Sequence, residues 1–158
     1  MFFQKLGENV RVGIVFTRSY SSNGVIPGNV ESKTPVVNIK PLKYYDNAYT
    51  MKSFNLNENK NKAGIYRFTN KLNGNIYIGS SKYLNKRFSK YFNLSYISTV
   101  KNDLTISRAL IKYGYSNFTI EILEYCEVSD LLKREQFYLD LLKPIYNIAK
   151  IAGSTLGV

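Results

Sequence analysis

The stretch "GIYRFTNKLNGNIYIGS", Gly64 to Ser80, carries the reading that decides the fold. Two short β-prone runs flank Lys71-Leu72-Asn73-Gly74, and Asn-Gly between such runs is the strongest short-range hairpin signal. The tripeptides Gly64-Ile65-Tyr66 and Tyr77-Ile78-Gly79 mirror each other about that turn. A loop centred between Lys71 and Leu72 places Tyr66 directly opposite Tyr77, with Ile65, Ile76 and Ile78 on the other face. Two readings fit this pair: strand tyrosines packed in a core, or two phenols set side by side for chemistry. A register slip of one residue would part them.

Downstream of the hairpin the pattern turns helical. Leu84, Phe88, Tyr91 and Phe92 recur at helical spacing within a helix expected over 81–92. The polar run 93–103 reads as a loop, and "LTISRALIKYG" as a second helix stopped by Gly114. "FTIEILEYC" alternates as a third strand, with Phe118, Ile120 and Ile122 on one face and Thr119, Glu121 and Leu123 on the other. "SDLLKREQFYLDLLK" is a third helix, with Ser129 as its N-cap, Asp130 in its first turn and Pro144 beyond its end. The expectation is a small mixed α/β (α+β) domain over 62–149. It has a three-stranded antiparallel sheet flanked by helices in the order β-β-α-α-β-α. Residues 1–61, rich in Asn, Ser, Pro and Gly, read as a largely irregular extension. Their basic, Ser-rich start suits a mitochondrial leader, against which Glu8 counts. Residues 150–158 read as a tail or the start of a linker.

Composition limits the chemistry. The chain has 158 residues and a formal charge of +11, which points to a polyanionic partner. Between Lys62 and Lys112 there are ten basic residues and one acid; from Tyr113 to Val158 there are four basic residues and six acids. The excess therefore sits on the hairpin and the helices after it. There is no histidine, and Cys126 is the sole cysteine. This excludes histidine general-base catalysis, a Cys–His nucleophile, the usual zinc ligand sets and an intrachain disulfide. A resident metal would be a hard, oxygen-ligated cation such as Mg²⁺ or Mn²⁺. No run of 18 apolar residues suggests a spanning helix, and no long amphipathic helix favours a membrane surface as the partner.

Two helices carry polar groups where a plain core would want apolar ones. Glu135 lies four residues after Leu131 and four before Leu139, along a stripe of Leu131, Leu132, Tyr138, Leu139 and Leu142. A carboxylate there is a metal ligand, half of an ion pair, or an ordinary residue at the stripe's edge. Arg87 is three after Leu84 and four before Tyr91. It is either a bidentate phosphate clamp or a snorkelling arginine on a basic surface helix.

Taken together, these positions resemble the GIY-YIG nuclease superfamily, in particular the homing endonucleases encoded in mobile introns of fungal mitochondria. The resemblance covers both tripeptides, the small pair Ser80-Ser81, "LNKRFSKYF" with Arg87 and Tyr91, and "REQFYLDLLKPIYNI" with Glu135 and Asn147. It spans about 62–149. What it implies is a metal-dependent DNA endonuclease that hydrolyses phosphodiester bonds. Glu135 would hold one divalent ion, Mg²⁺ or Mn²⁺, and Tyr66 would activate the attacking water. Arg87 would bind the scissile phosphate and Tyr77 would orient water or phosphate. Tyr91 stands where other members carry His or Tyr, and Asn147 would support the site. Gly64 and Gly79 would keep the backbone open beside it.

The same resemblance implies a group I intron homing endonuclease or its remnant, acting in the mitochondrion, with DNA as partner. The competing readings are a repair or recombination nuclease subunit and a catalytically inactive nucleic-acid-binding module. Lys82, Lys86, Lys90 and Lys101 are the expected phosphate contacts. If they are, affinity for duplex DNA falls steeply as salt rises in a titration from low to physiological ionic strength, and a flat response would exclude them.

Overall fold

Several of the side chains singled out in the sequence gather beside one edge strand of a four-stranded sheet. The computed structural model describes residues 37–100, 104–148 and 152–153. The first 36 residues of the extension expected over 1–61, Lys101 and most of the C-terminal tail lie outside them. Residues from Pro41 onward form one unit, which is the subject below. Its elements are β1 (Lys43–Tyr45), α1 (Lys52–Glu58), β2 (Gly64–Asn70), β3 (Ile76–Ser81), α2 (Leu84–Tyr91), α3 (Leu94–Val100), α4 (Thr105–Tyr113), β4 (Phe118–Tyr125) and α5 (Leu131–Leu142). All strand pairs are antiparallel, in the spatial order β1-β4-β2-β3.

The sheet thus has four strands, not three, and two elements precede the hairpin in a region read from the sequence as irregular. Three-residue β1 is too short to show alternation, and it is held by pairing Tyr45 with Ile120 on β4. A polar network then fastens α1 to both strands. Tyr45 Oη donates to Glu58 Oε2 (2.6 Å), Asn59 Nδ2 donates to Tyr45 Oη (2.9 Å), and Tyr125 Oη donates to Asn59 Oδ1 (2.9 Å). Such side-chain networks are tertiary and leave no periodic trace in a sequence. The run expected as a loop after Asn93 is partly helical: α3 buries Ile97 and Val100 four and seven residues after Asn93. At α5 the cap position falls on Asp130 rather than Ser129, with no side-chain cap bond. Gly114, at φ 79°, closes α4 as expected.

The two faces of the sheet are unlike. On one, Tyr66, Phe68, Phe118, Ile120 and Ile122 pack with Leu84, Phe88, Tyr91, Ile97, Ile106 and Leu110 from α2, α3 and α4. On the other, α5 packs against β3 and β2. It is anchored to β4 by Arg134, whose Nε and a terminal nitrogen reach the two oxygens of Glu124 at 2.7 and 2.6 Å. Paired donors in this fork geometry fix orientation as well as adding energy. The same face holds the buried Arg67–Glu121 pair, whose carboxylate also accepts from Thr69 and Thr119. Removing one partner of such a pair leaves an uncompensated buried charge.

The hairpin register differs from the expected one. Tyr66 pairs with Gly79, and Tyr77 with Phe68. The turn is wider, with Gly74 left-handed at φ 73° and its N–H donating to Asn70 O. The shift is by two residues, so both tyrosines keep the same face, and they meet diagonally with ring centroids 6.3 Å apart. Gly79 is the physical reason: a Cβ there would lie 2.4 Å from Tyr66 Oη, so the bare backbone is the bed on which the phenol ring lies. Gly64 serves a different approach, since its absent Cβ would stand 2.2 Å from the Glu124 carbonyl of β4. It lets β2 come close to β4 and does not open the site.

Beyond β3 the sheet edge is half covered. Asn147 clamps Ile78 with both ends of its amide, accepting from Ile78 N (2.9 Å) and donating to Ile78 O (2.8 Å), while Tyr146 N donates to Ile76 O (3.1 Å). The first part of the edge is thereby satisfied, and beyond the buried Gly79 the half-buried Ser80 and Ser81 line a groove. Gly79→Ala is expected to lower stability by about 3 kcal/mol, an overpacking cost, and the melting temperature by about 10 °C, read by thermal unfolding.

Candidate active site

Three phenols converge behind Gly79. Tyr66 and Tyr91 are buried with hydroxyls 2.9 Å apart, and Tyr91 Oη donates to Tyr77 Oη at 3.5 Å. A hydroxyl has one proton to give. With the Tyr91 proton directed to Tyr77, Tyr66 donates to Tyr91, and the Tyr77 proton is left for a bound group. The rings also form the centre of the core. Tyr66 meets Phe88 edge-on at 5.1 Å, and Phe68 meets Tyr91 at 5.1 Å, in the T-shaped geometry aromatic pairs prefer. The packing reading and the chemical reading of the tyrosine pair are therefore both true of the same atoms.

Burial pushes all three phenols well above their ordinary range. For Tyr66 the negative field of an ionised Tyr77 adds to this, while the Arg87 charge opposes it. At neutral pH Tyr66 is therefore protonated. The expected part of proton acceptor is disfavoured by the same burial that makes it a fixed hydrogen-bonding group. Arg87 projects from α2 beside the cluster, and the field of Tyr66 raises its own affinity for its proton, so it stays a cation.

Glu135 comes from the opposite side of the sheet on α5. Its Oε2 accepts from Ser80 Oγ on β3 at 2.9 Å. Burial raises its carboxyl above the usual range, the Ser80 hydrogen bond and the Arg87 charge partly offsetting this. Because β3 is the edge strand, groups from α2 and α5 meet around its open end. Tyr66, Tyr77, Arg87 and Glu135 all act on one another electrostatically there. Ser80, read from the sequence only as a small residue, is the link that orients Glu135. Nothing in its local sequence distinguishes it from any strand serine.

As for the remaining expected residues, Asn147 acts on the backbone between Tyr77 and Gly79 rather than on the tyrosines. Lys82, Lys86 and Lys90 line a groove of about 510 Å³ with Arg87 and Ser80. Among the described residues no group of three or more His, Cys, Asp or Glu converges. One half-buried carboxylate with a neighbouring hydroxyl suits a hard cation that keeps most of its water, as Mg²⁺ does, and suits no soft metal.

The raised carboxyl sets a pH dependence for stability. Below the unfolded value, about 4.3, Glu135 is neutral in both states and carries no penalty. As pH rises through the higher folded value, ionisation favours the unfolded chain and stability is lost. Glu135→Gln is accordingly expected to melt above the parent chain at pH 7, with the difference closing below about pH 4. Melting curves across that range check it, and a difference that widens toward acid would refute it.

A family model of the GIY-YIG catalytic domain matches residues 62–148. "Probable intron-encoded endonuclease bI1" of Neurospora crassa is 32% identical over 128 residues, covering 75% of this chain and 28% of that protein. "Probable intron-encoded endonuclease 1" of the same fungus is 31% identical over 107 residues, covering 62% and 34%. Among solved structures, the catalytic domain of intron endonuclease I-TevI is 29% identical with a TM-score of 0.49, covering 58% of this chain and 97% of that one. The chain thus spans about a third of the length of the curated relatives it matches. The match covers more than half of the chain, and the chain belongs to the GIY-YIG family.

Proposed function

We propose that this chain is a metal-dependent DNA endonuclease, the nuclease part of a group I intron homing endonuclease or its remnant, acting in the mitochondrion. The observation that carries this reading is the meeting of Arg87 and Glu135, from helices on opposite faces of the sheet, at the open end of β3 beside a basic groove. The described ion pairs are those of Lys43, Arg67 and Arg134, while Arg87 is spent on the groove. The intron-encoded endonucleases named above support the endonuclease and intron parts of this reading by likeness.

In this reading Lys82, Lys86 and Lys90 hold the DNA backbone, and Arg87 grips the scissile phosphate, balancing the charge that builds as water attacks phosphorus. The outward proton of Tyr77 orients a phosphate oxygen. Tyr66 accepts a hydrogen bond from the attacking water and aligns it, its own proton being held by Tyr91, and the proton that the water sheds on attack passes to bulk solvent, which protonates the leaving oxygen. Glu135, aimed by Ser80, would hold the divalent ion, which supplies Lewis-acid stabilisation of phosphate and leaving oxygen. Asn147 keeps β3, and so Tyr77 and Gly79, in register.

The test is nicking of supercoiled plasmid with Mg²⁺ or Mn²⁺. The parent chain is expected to nick, chelation to stop it, and Glu135→Ala and Arg87→Ala each to lose about a hundredfold or more in rate, the scale of removing one transition-state contact. No metal-dependent nicking would leave the inactive-binding-module reading in its place, and nicking unchanged in both variants would overturn the assignment of the reaction to Glu135 and Arg87.

A further inference from the structure

The groove beside Arg87 is more than a phosphate channel. Tyr83, the residue just before α2, is 40% exposed and lines it, together with Val128 (49% exposed) and Leu132 (47% exposed). Leu132 was expected in the buried stripe of α5; instead it stands at the helix start, in the groove. Single exposed apolar residues are ordinary on protein surfaces. Three of them lining one cleft with Lys86, Lys90 and Arg87, and no carboxylate, are chemistry for a ligand that is anionic along one side and flat and apolar along another.

Tyr83 is also held in place. Its N–H donates to Ser81 Oγ at 3.1 Å, and the ammonium groups of Lys86 and Lys82 stand 4.6 and 5.4 Å from its ring centroid. No phenolic hydrogen bond ties the ring into the core among the described contacts. Both lysines sit on flexible stems, so a flat group arriving on the ring frees an ammonium for the phosphate that comes with it.

We propose that Tyr83 is a stacking platform for one base of the bound DNA strand, next to the phosphate held by Arg87. Val128 and Leu132 pack on its sugar. The proposal rests on the nuclease reading and adds a positioning role to it: a base lodged on Tyr83 sets which phosphate reaches Arg87. Stacking needs a base out of its duplex, so the groove takes a locally unpaired strand, and binding there tolerates every base because each has a π-face.

The experiment compares binding of the full chain, without divalent ion, to two fluorescent single strands of equal length by anisotropy. One is a thymidine homopolymer; the other carries abasic sugars throughout. The parent chain is expected to bind the first about tenfold more tightly, the scale of one stacked base. Tyr83→Ala should bring the two together while Tyr83→Phe keeps them apart, and Tyr49→Ala, an exposed tyrosine outside the groove, should leave both unchanged. The slope of affinity against salt should stay the same in Tyr83→Ala and become shallower by about 0.7 in Lys86→Ala, one phosphate contact on a single strand. If Tyr83→Ala retains the base preference, or weakens both strands equally, the platform does not exist. A parent chain that nicks plasmid but shows no base preference overturns this inference alone, whereas one that neither nicks nor binds overturns the nuclease reading with it. Thermal melting of Tyr83→Ala at the parent temperature shows that the comparison is between folded proteins.

Discussion

The Tyr66 ring lies on the bare backbone of Gly79, and much of the rest depends on that contact. A side chain at 79 would collide with the phenol, so the ring could not reach Phe88 and Tyr91. Without that reach the three-hydroxyl chain would not form, and α2 would lose its central packing partner. One close approach thus sets the hairpin register, the core of one sheet face and the back wall of the candidate site. Packed interiors transmit such a constraint because they have little free volume to absorb it.

The cost of this economy falls on the titratable groups. Phenols that double as core residues are desolvated, which holds them protonated and turns them from bases into directional hydrogen-bond partners. Glu135 is affected in the same direction, and its charged form is favoured only by Ser80 and Arg87. The carboxylate is desolvated beside one hydroxyl donor and one cation, so its charge is held at a cost to stability.

Support comes from outside the family span. β1 and α1 precede residue 62, yet they extend the sheet through β4, and the Tyr45–Glu58–Asn59–Tyr125 network ties them to the strand that β2 pairs with. Farther along, the Lys62 carbonyl accepts from Leu84 N, so the connection into β2 also caps the first turn of the helix that carries Arg87. On the other side, the Asn147 amide satisfies the edge of β3 without adding a strand. These braces surround the open end of β3 and hold the groups of α2 and α5 around it.

The chain's residues by themselves determined the hairpin, the later strand, the three longer helices, the basic bias and the family. Each of these is a local property, written as periodicity, turn chemistry or charge, or as the mirrored tripeptides. They could not decide the register of Tyr66 and Tyr77, because a shift by two keeps every side chain on its face and leaves the pattern unchanged. Nor could they show β1 and α1, which are short and held by polar bonds to distant residues, nor α3, whose few apolar positions sit in a polar run. The setting of Ser80 and Tyr83 was invisible for the same reason: it comes from what α5 and the groove bring beside them. Only the folded sheet decides that Glu135 and Arg87 meet, because they lie 48 residues apart on helices of opposite faces and share nothing but the open end of one edge strand.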